Sequence, residues 1–186
     1  MSDQEFIGAF EDRLVAESRR LAEMHRQGDP EPVGDCALHR TAGPVKLSDC
    51  FEGKRDLIVI HNMGTGCSYC TMWADGINGL QHHLRDRAGL VLVSPDPPEV
   101  LEKFAAGRGW RFPLASAHGT TFIADMGFEA DGSALPGVST FFRNDDGSLV
   151  RVASEQFGPF DLFCPTWHFL ARLRDGVDGW TPKFAY

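Results

Sequence analysis

The sequence predicts an α/β fold with a mixed central sheet, helices on both faces and an N-terminal helical extension. Three observations predict it. Two nearly continuous apolar runs, Asp56-Leu-Ile-Val-Ile-His61 and Gly89-Leu-Val-Leu-Val-Ser94, suit strands covered on both faces. Between them Cys70, Trp73, Ile77, Leu80 and Leu84 recur at helical intervals, so strand, helix and strand close as a right-handed parallel unit. Farther on, Val138-Ser-Thr-Phe-Phe-Arg143 and Leu149-Val-Arg-Val-Ala153 flank Asn144-Asp-Asp-Gly147, the pattern of an antiparallel hairpin.

Phe6, Phe10, Leu14, Leu21 and Met24 fall at roughly helical spacing among charges, which predicts an amphipathic helix over 3–27. Gly28-Asp-Pro-Glu-Pro-Val-Gly34 ends it and reads as a linker. Val45-Lys-Leu-Ser-Asp-Cys-Phe51 is a short segment that turns at Glu52-Gly53-Lys54. A strand follows over 56–62, then a helix from near Thr71. Its phase buries Cys70 and leaves Cys67 at the exposed tip. Pro98 opens a helix over 98–107, and a last helix is expected over 165–174. The chain thus divides into 1–34 (helix and linker), 35–174 (main domain) and 175–186 (irregular tail).

Composition excludes several classes of function. The 186 residues carry a net charge of −8 with Lys and Arg scattered, so neither nucleic acid nor a membrane surface is an expected partner. No apolar run suits a signal peptide or a membrane span. Five cysteines at irregular spacing argue against a secreted disulfide framework, and a cytoplasmic location is expected.

The chemistry centres on Cys67-Ser68-Tyr69-Cys70, a C-x-x-C where a strand gives way to a helix. A thiolate at a helix start lies against unpaired N–H groups and the positive end of the dipole, which lowers its pKa from about 8.5. The second sulfur, one turn along, is placed to close a disulfide. Cys67 is therefore the expected nucleophile and Cys70 the resolving thiol. A zinc knuckle would need a second ligand pair, and Cys36, Cys50 and Cys164 lack that spacing, so no metal is expected. His82 and His83 lie about 20 Å along the helix and read as solvated. Asp75 reads as a solvated acid in that helix, and Arg108 and Arg111 as surface residues. Trp73, Trp110, Phe112 and Phe141 could line a groove beside the sulfurs, although such aromatics more often belong to a core.

These segments resemble the thioredoxin fold. They are similar to a bacterial thioredoxin-like family of unassigned function labelled predicted dithiol–disulfide oxidoreductases. The resemblance rests on Val45–Phe51, Leu57–His61, the motif with Ala74-Asp75, Gly109-Trp-Arg-Phe-Pro113, Pro136–Phe142 and Phe160-Asp-Leu162. It implies exchange of the Cys67–Cys70 dithiol with a protein or small-molecule disulfide. An unidentified reductant would regenerate the pair, with no cofactor, and a homo-oligomer is allowed. Thioredoxins place a buried acid six residues before the first cysteine, and that offset lands on His61. His61 is then either the acceptor of the Cys70 proton or a hydrogen-bonded core histidine. Where thioredoxins carry a substrate-docking cis-proline, this chain has Val138-Ser139, expected to be trans. Tyr69, Trp73, Val138 and Ser139 are the expected substrate contacts.

Two other readings compete. A peroxiredoxin-like peroxidase would place Cys67 where that family has a threonine and make Cys70 the attacking thiol. The threonine and the usual arginine before the third strand are both missing, and Arg143 lies too far into the strand. Phe163-Cys-Pro-Thr-Trp167 echoes a resolving-cysteine tail, although Cys164 also suits a core thiol. A binding or redox-sensing module with an inert dithiol is the non-enzymatic alternative.

Overall fold

The computed structural model describes residues 2–186. Helix α1 (Asp3–Gln27) starts at a capping box in which Ser2 and Glu5 exchange side-chain-to-backbone bonds. The expected linker contains a strand, β1 (Glu31–Val33), followed by β2 (Ala37–Arg40), β3 (Gly43–Lys46) and a 3-10 turn (Leu47–Phe51). The parallel unit is β4 (Asp56–His61), α2 (Ser68–Arg87), β5 (Gly89–Ser94), α3 (Pro98–Arg108) and β6 (Leu114–Ser116). Then come α4 (Phe122–Asp125), a small hairpin of β7 (Glu129–Ala130) and β8 (Ser133–Ala134), β9 (Gly137–Arg143), β10 (Leu149–Gln156) and α5 (Pro165–Leu170).

Eight strands form one mixed sheet in the order β1-β10-β9-β4-β5-β6-β2-β3. β5 runs parallel to β4 and β6, whereas β9 is antiparallel to β4 and β10. The predicted hairpin and parallel unit are therefore joined side by side. The short strands β1, β2, β3 and β6 were not expected. They are held by the strands they pair with rather than by their own apolar period; β1 and β3 are the two edges of the sheet, and Pro44 is tolerated on edge strand β3.

Alternation along the central strands builds two cores. Leu57, Val59, Val91 and Val93 face the 3-10 turn, Phe122 of α4 and Phe128. Ile60, Leu90 and Leu92 face Trp73 and Ile77 of α2, Leu101 of α3 and Trp167 of α5. The turn into β5 is tight: a Cβ on Gly89 would lie 2.5 Å from the Cys50 carbonyl oxygen.

Two helix boundaries differ from expectation. α2 starts at Ser68 rather than near Thr71, because Cys67 itself is the N-cap. α5 ends at Leu170, after which Arg172 and Leu173 form three-residue-back bonds to Phe169 and Leu170 that tighten the chain into turns.

Candidate dithiol site

The site lies where β4 and β5, neighbours in the parallel part of the sheet, release their chains at the same end. Asn62 Oδ1 accepts the Gly64 N–H at 2.7 Å, and Asp96 receives the Thr65 N–H at 2.8 Å and the Ser94 hydroxyl at 2.6 Å. Gly64 sits at φ +114 with its missing Cβ position 3.2 Å from the Asp96 carboxylate, so a side chain there would be both strained and crowded. Asp96 thus fixes the loop that leads into the motif. Sequence reasoning missed it; the one available signal was an acid just past the end of a parallel strand.

That loop presents Cys67 at the N-cap of α2, half-buried, with its Sγ accepting the Cys70 N–H at 3.0 Å. Its pKa is drawn down from 9.0 to about 6. The hydrogen bond from the Cys70 thiol is the main cause, aided by the backbone N–H groups of Cys70 and Tyr69 and opposed by partial burial. Cys70 is buried and its pKa is pushed up, first because its S–H is given to Cys67 and second by burial. The two sulfurs therefore differ in burial in the sense the helical phase predicts, Cys67 half-buried and Cys70 buried. All five cysteines are unbridged.

The other expected residues fare differently. The ring of Tyr69 stacks on Trp167 with centroids 5.9 Å apart, beside the motif. Trp73 is buried and its indole N–H donates to Asp161 Oδ2 at 2.9 Å. Asp161 Oδ1 takes the N–H groups of Phe163 and Cys164, so this acid ties the loop before α5 to the motif helix. Trp73 is thus held in the core of the α2 face. Val138 and Ser139 are also buried, and their backbone lies inside the ladder between β4 and β10. The expectation that they dock substrate is corrected: a strand paired on both sides has no free edge to offer.

His61 needs the same correction. Its position in β4 turns the ring toward the face opposite α2, where it stacks on Phe128 at 3.7 Å and pairs through Nε2 with Ser139 Oγ at 2.9 Å. Nδ1 has no partner among the described residues, so neither ring nitrogen bonds to a cysteine. Burial, with a contribution from Arg151, lowers its pKa to about 3. The imidazole is a neutral core group, not a base poised near neutral pH.

Asp75 is not merely solvated. It accepts the Trp110 indole N–H at 2.8 Å and pairs with the Arg108 guanidinium, fastening α2 to the end of α3. Arg108 also donates to the Phe184 carbonyl of the tail at 2.6 Å. Arg143 donates to the Ser48 carbonyl and lies over the Phe51 ring at 4.6 Å, so it serves the opposite core. Burial raises the pKa of Cys36, Cys50 and Cys164, Cys50 to about 11. His82 and His83 are exposed on α2, and no group of three metal-ligating side chains occurs among the described residues. A cavity of about 600 Å³ opens beside the motif loop, walled by Thr65, Val100, Lys103, Phe104 and Phe184.

This arrangement is that of the thioredoxin-like class, and solved structures of similar fold are peroxiredoxins. Peroxidoxin BcpB from Mycobacterium tuberculosis matches with a TM-score of 0.54 and 25% identity over 68% of this chain and 84% of that one. Reduced Prx3 from Vibrio vulnificus matches with a TM-score of 0.60 and 11% identity over 73% and 92%. The bacterioferritin comigratory protein of Xanthomonas campestris matches with a TM-score of 0.51 and 21% identity over 66% and 80%. The chain belongs to the family described as "Bacterial protein of unknown function (DUF899)", whose model matches residues 7–179. No curated protein matches it. No helix among the described residues is long and apolar enough to cross a membrane.

Proposed function

We propose that this protein is a thiol–disulfide oxidoreductase acting through Cys67 and Cys70. The observation that carries the reading is the half-buried Cys67 sulfur at the helix N-cap, its pKa drawn down by the neighbouring Cys70 thiol and backbone N–H groups. The Cys67 thiolate attacks one sulfur of a protein or small-molecule disulfide, forming a mixed disulfide and expelling the other sulfur as thiolate. The Cys70 sulfur, its proton passing to the departing thiolate, then attacks Cys67. The second substrate sulfur leaves, two electrons have passed to substrate, and a thiol reductant restores the dithiol. His61 takes no part in this scheme. A reducing cytoplasm is the setting we infer, on cysteine usage.

The test is reduction of a small chromogenic disulfide by the pre-reduced protein. Cys67→Ser should abolish the reaction, and Cys70→Ser should trap the mixed disulfide on Cys67. Release of product by Cys67→Ser at the wild-type rate would overturn the proposal.

The likeness to peroxiredoxins favours a second reading, reduction of a hydroperoxide. There the accessible Cys67, rather than the buried Cys70, would attack the peroxide. That gives a sulfenic acid and water or alcohol, and Cys70 then condenses with the sulfenic acid, releasing water. Hydroperoxide consumption faster than disulfide reduction would select this reading. Oxidation of the pair without turnover of either substrate would select a redox sensor.

A further inference from the structure

Helix α1 is amphipathic, yet none of its residues is buried, and it meets the body mainly at its C-terminal end, against β10. Every one of its residues from Asp3 to Gln27 is exposed except Gly8 and His25. Phe6 is 59% exposed, Phe10 51%, Leu14 56% and Met24 61%. Most of a protein helix's stability comes from packing an amphipathic face rather than from propensity. Contacts to the body are peripheral: His25 lies 3.7 Å from Glu155, and Glu11 lies 3.8 Å from Arg172. The apolar surface continues off the helix, since Ala22, His25 and Phe163 line one groove and Phe169 and Leu173 are exposed near Arg172.

We propose that α1 is a self-association element, pairing antiparallel about a two-fold axis with α1 of a second copy of this chain. Three features select that occupant. The first is spacing: Ile7, Phe10, Leu14, Leu21 and Met24 follow a heptad seam whose one polar position is Glu17. In the antiparallel register whose paired numbers sum to 31, Ile7 meets Met24 of the second copy and Phe10 meets Leu21. Glu17 then lies against Leu14 and close to Arg13, whereas parallel pairing would set two Glu17 side chains face to face. The second feature is charge. Asp3, Glu5, Glu11 and Asp12 against Arg13 leave the first half of the helix at net −3, whereas Arg19, Arg20 and Arg26 against Glu17 and Glu23 leave the second half at net +1, and the same register sets Arg19 opposite Asp12 and Arg20 opposite Glu11. Antiparallel pairing brings opposite halves together. The third is area. Phe6, Ile7, Phe10, Leu14, Leu21 and Met24 are exposed apolar residues on or flanking this seam. At about 100 Å² each they offer roughly 600 Å², about three-quarters of the ~800 Å² per partner of a stable interface.

Sedimentation velocity of the full chain across micromolar concentrations tests this. The wild type should sediment as a dimer, and Phe10→Glu with Leu14→Glu should weaken association at least ~100-fold. Arg19→Glu with Arg20→Glu should weaken it about 10-fold. Adding Glu11→Arg and Asp12→Arg should restore it to within about 3-fold, a rescue that only antiparallel self-pairing gives. Unchanged Cys67 alkylation and far-ultraviolet dichroism would show that each variant is folded. A wild type that stays monomeric, a dimer indifferent to the Phe10 and Leu14 changes, or failed charge rescue would overturn the proposal. A monomer that instead binds phosphatidylglycerol vesicles through α1 would overturn it in favour of a lipid surface.

Discussion

Alkylation of Cys67 should follow a pH profile with its midpoint near 6, and the expected rate can be worked out. With the pKa moved from 9.0 to about 6, the thiolate fraction at pH 7 rises from about 0.01 to about 0.9. A less basic thiolate is also less nucleophilic, and a Brønsted slope of about 0.45 over that interval costs about 20-fold. The net gain over an ordinary thiol is therefore only about 4-fold at pH 7, but about 20-fold at pH 6, where an ordinary thiol is almost wholly protonated. The diagnostic measurement is thus the low-pH limb. Pre-reduced protein would be pulsed with iodoacetamide from pH 4.5 to 9 and each cysteine peptide quantified by mass spectrometry. Cys70 should lag throughout because it is buried and its thiol is stabilised. Cys70→Ala, which removes the main donor to the Cys67 sulfur, should move the midpoint upward, leaving only the backbone N–H groups to hold it below 9.0. A midpoint at or above 8.5, first labelling of Cys70, or a profile unmoved in Cys70→Ala would refute the reasoning.

Three further outcomes are expected. Burial keeps His61 neutral, so the unfolded chain binds its proton first; its contribution is full above about pH 6.5 and is lost as pH falls toward 3. About 3 kcal/mol should disappear between pH 7 and 4 in urea unfolding, and His61→Phe should flatten that slope without changing disulfide turnover. Asp161→Ala, which strips the acceptor from Trp73, Phe163 and Cys164, should lower stability by about 3 kcal/mol and speed proteolytic cleavage over 158–164. Gly89→Ala drives a methyl group into the Cys50 carbonyl and should cost about 3 kcal/mol; a melting temperature equal to wild type would contradict that packing.

The legible part of the fold was its regular part. The runs 56–61 and 89–94 and the hairpin at 137–156 sit where their apolar patterns put them, because a strand buried on both faces leaves its period in the chain. Strands β1, β2, β3 and β6 left no such mark, being three or four residues long and defined by the neighbour they pair with. At the site, the same helical phase that buries Trp73 and Ile77 also buries Cys70, so the asymmetry of the two thiols could be read from spacing. Asp161 and Asp96 could not, since each acts on residues distant in sequence, Asp161 lying 88 positions from Trp73 and Asp96 31 positions from Thr65.

A C-x-x-C at a strand-to-helix junction with its second sulfur inward is legible in the chain, because local periodicity sets which side of a helix a residue occupies. So is the apolar stripe of α1. That this stripe stays unburied within its own chain, and that His61 turns away from the sulfurs toward Phe128 and Ser139, emerges only once the elements are packed. The physical reason is common to both. A periodic pattern says that one face of an element is apolar, whereas which surface that face meets is fixed by strand order and crossover direction, and those depend on contacts between residues far apart in the chain.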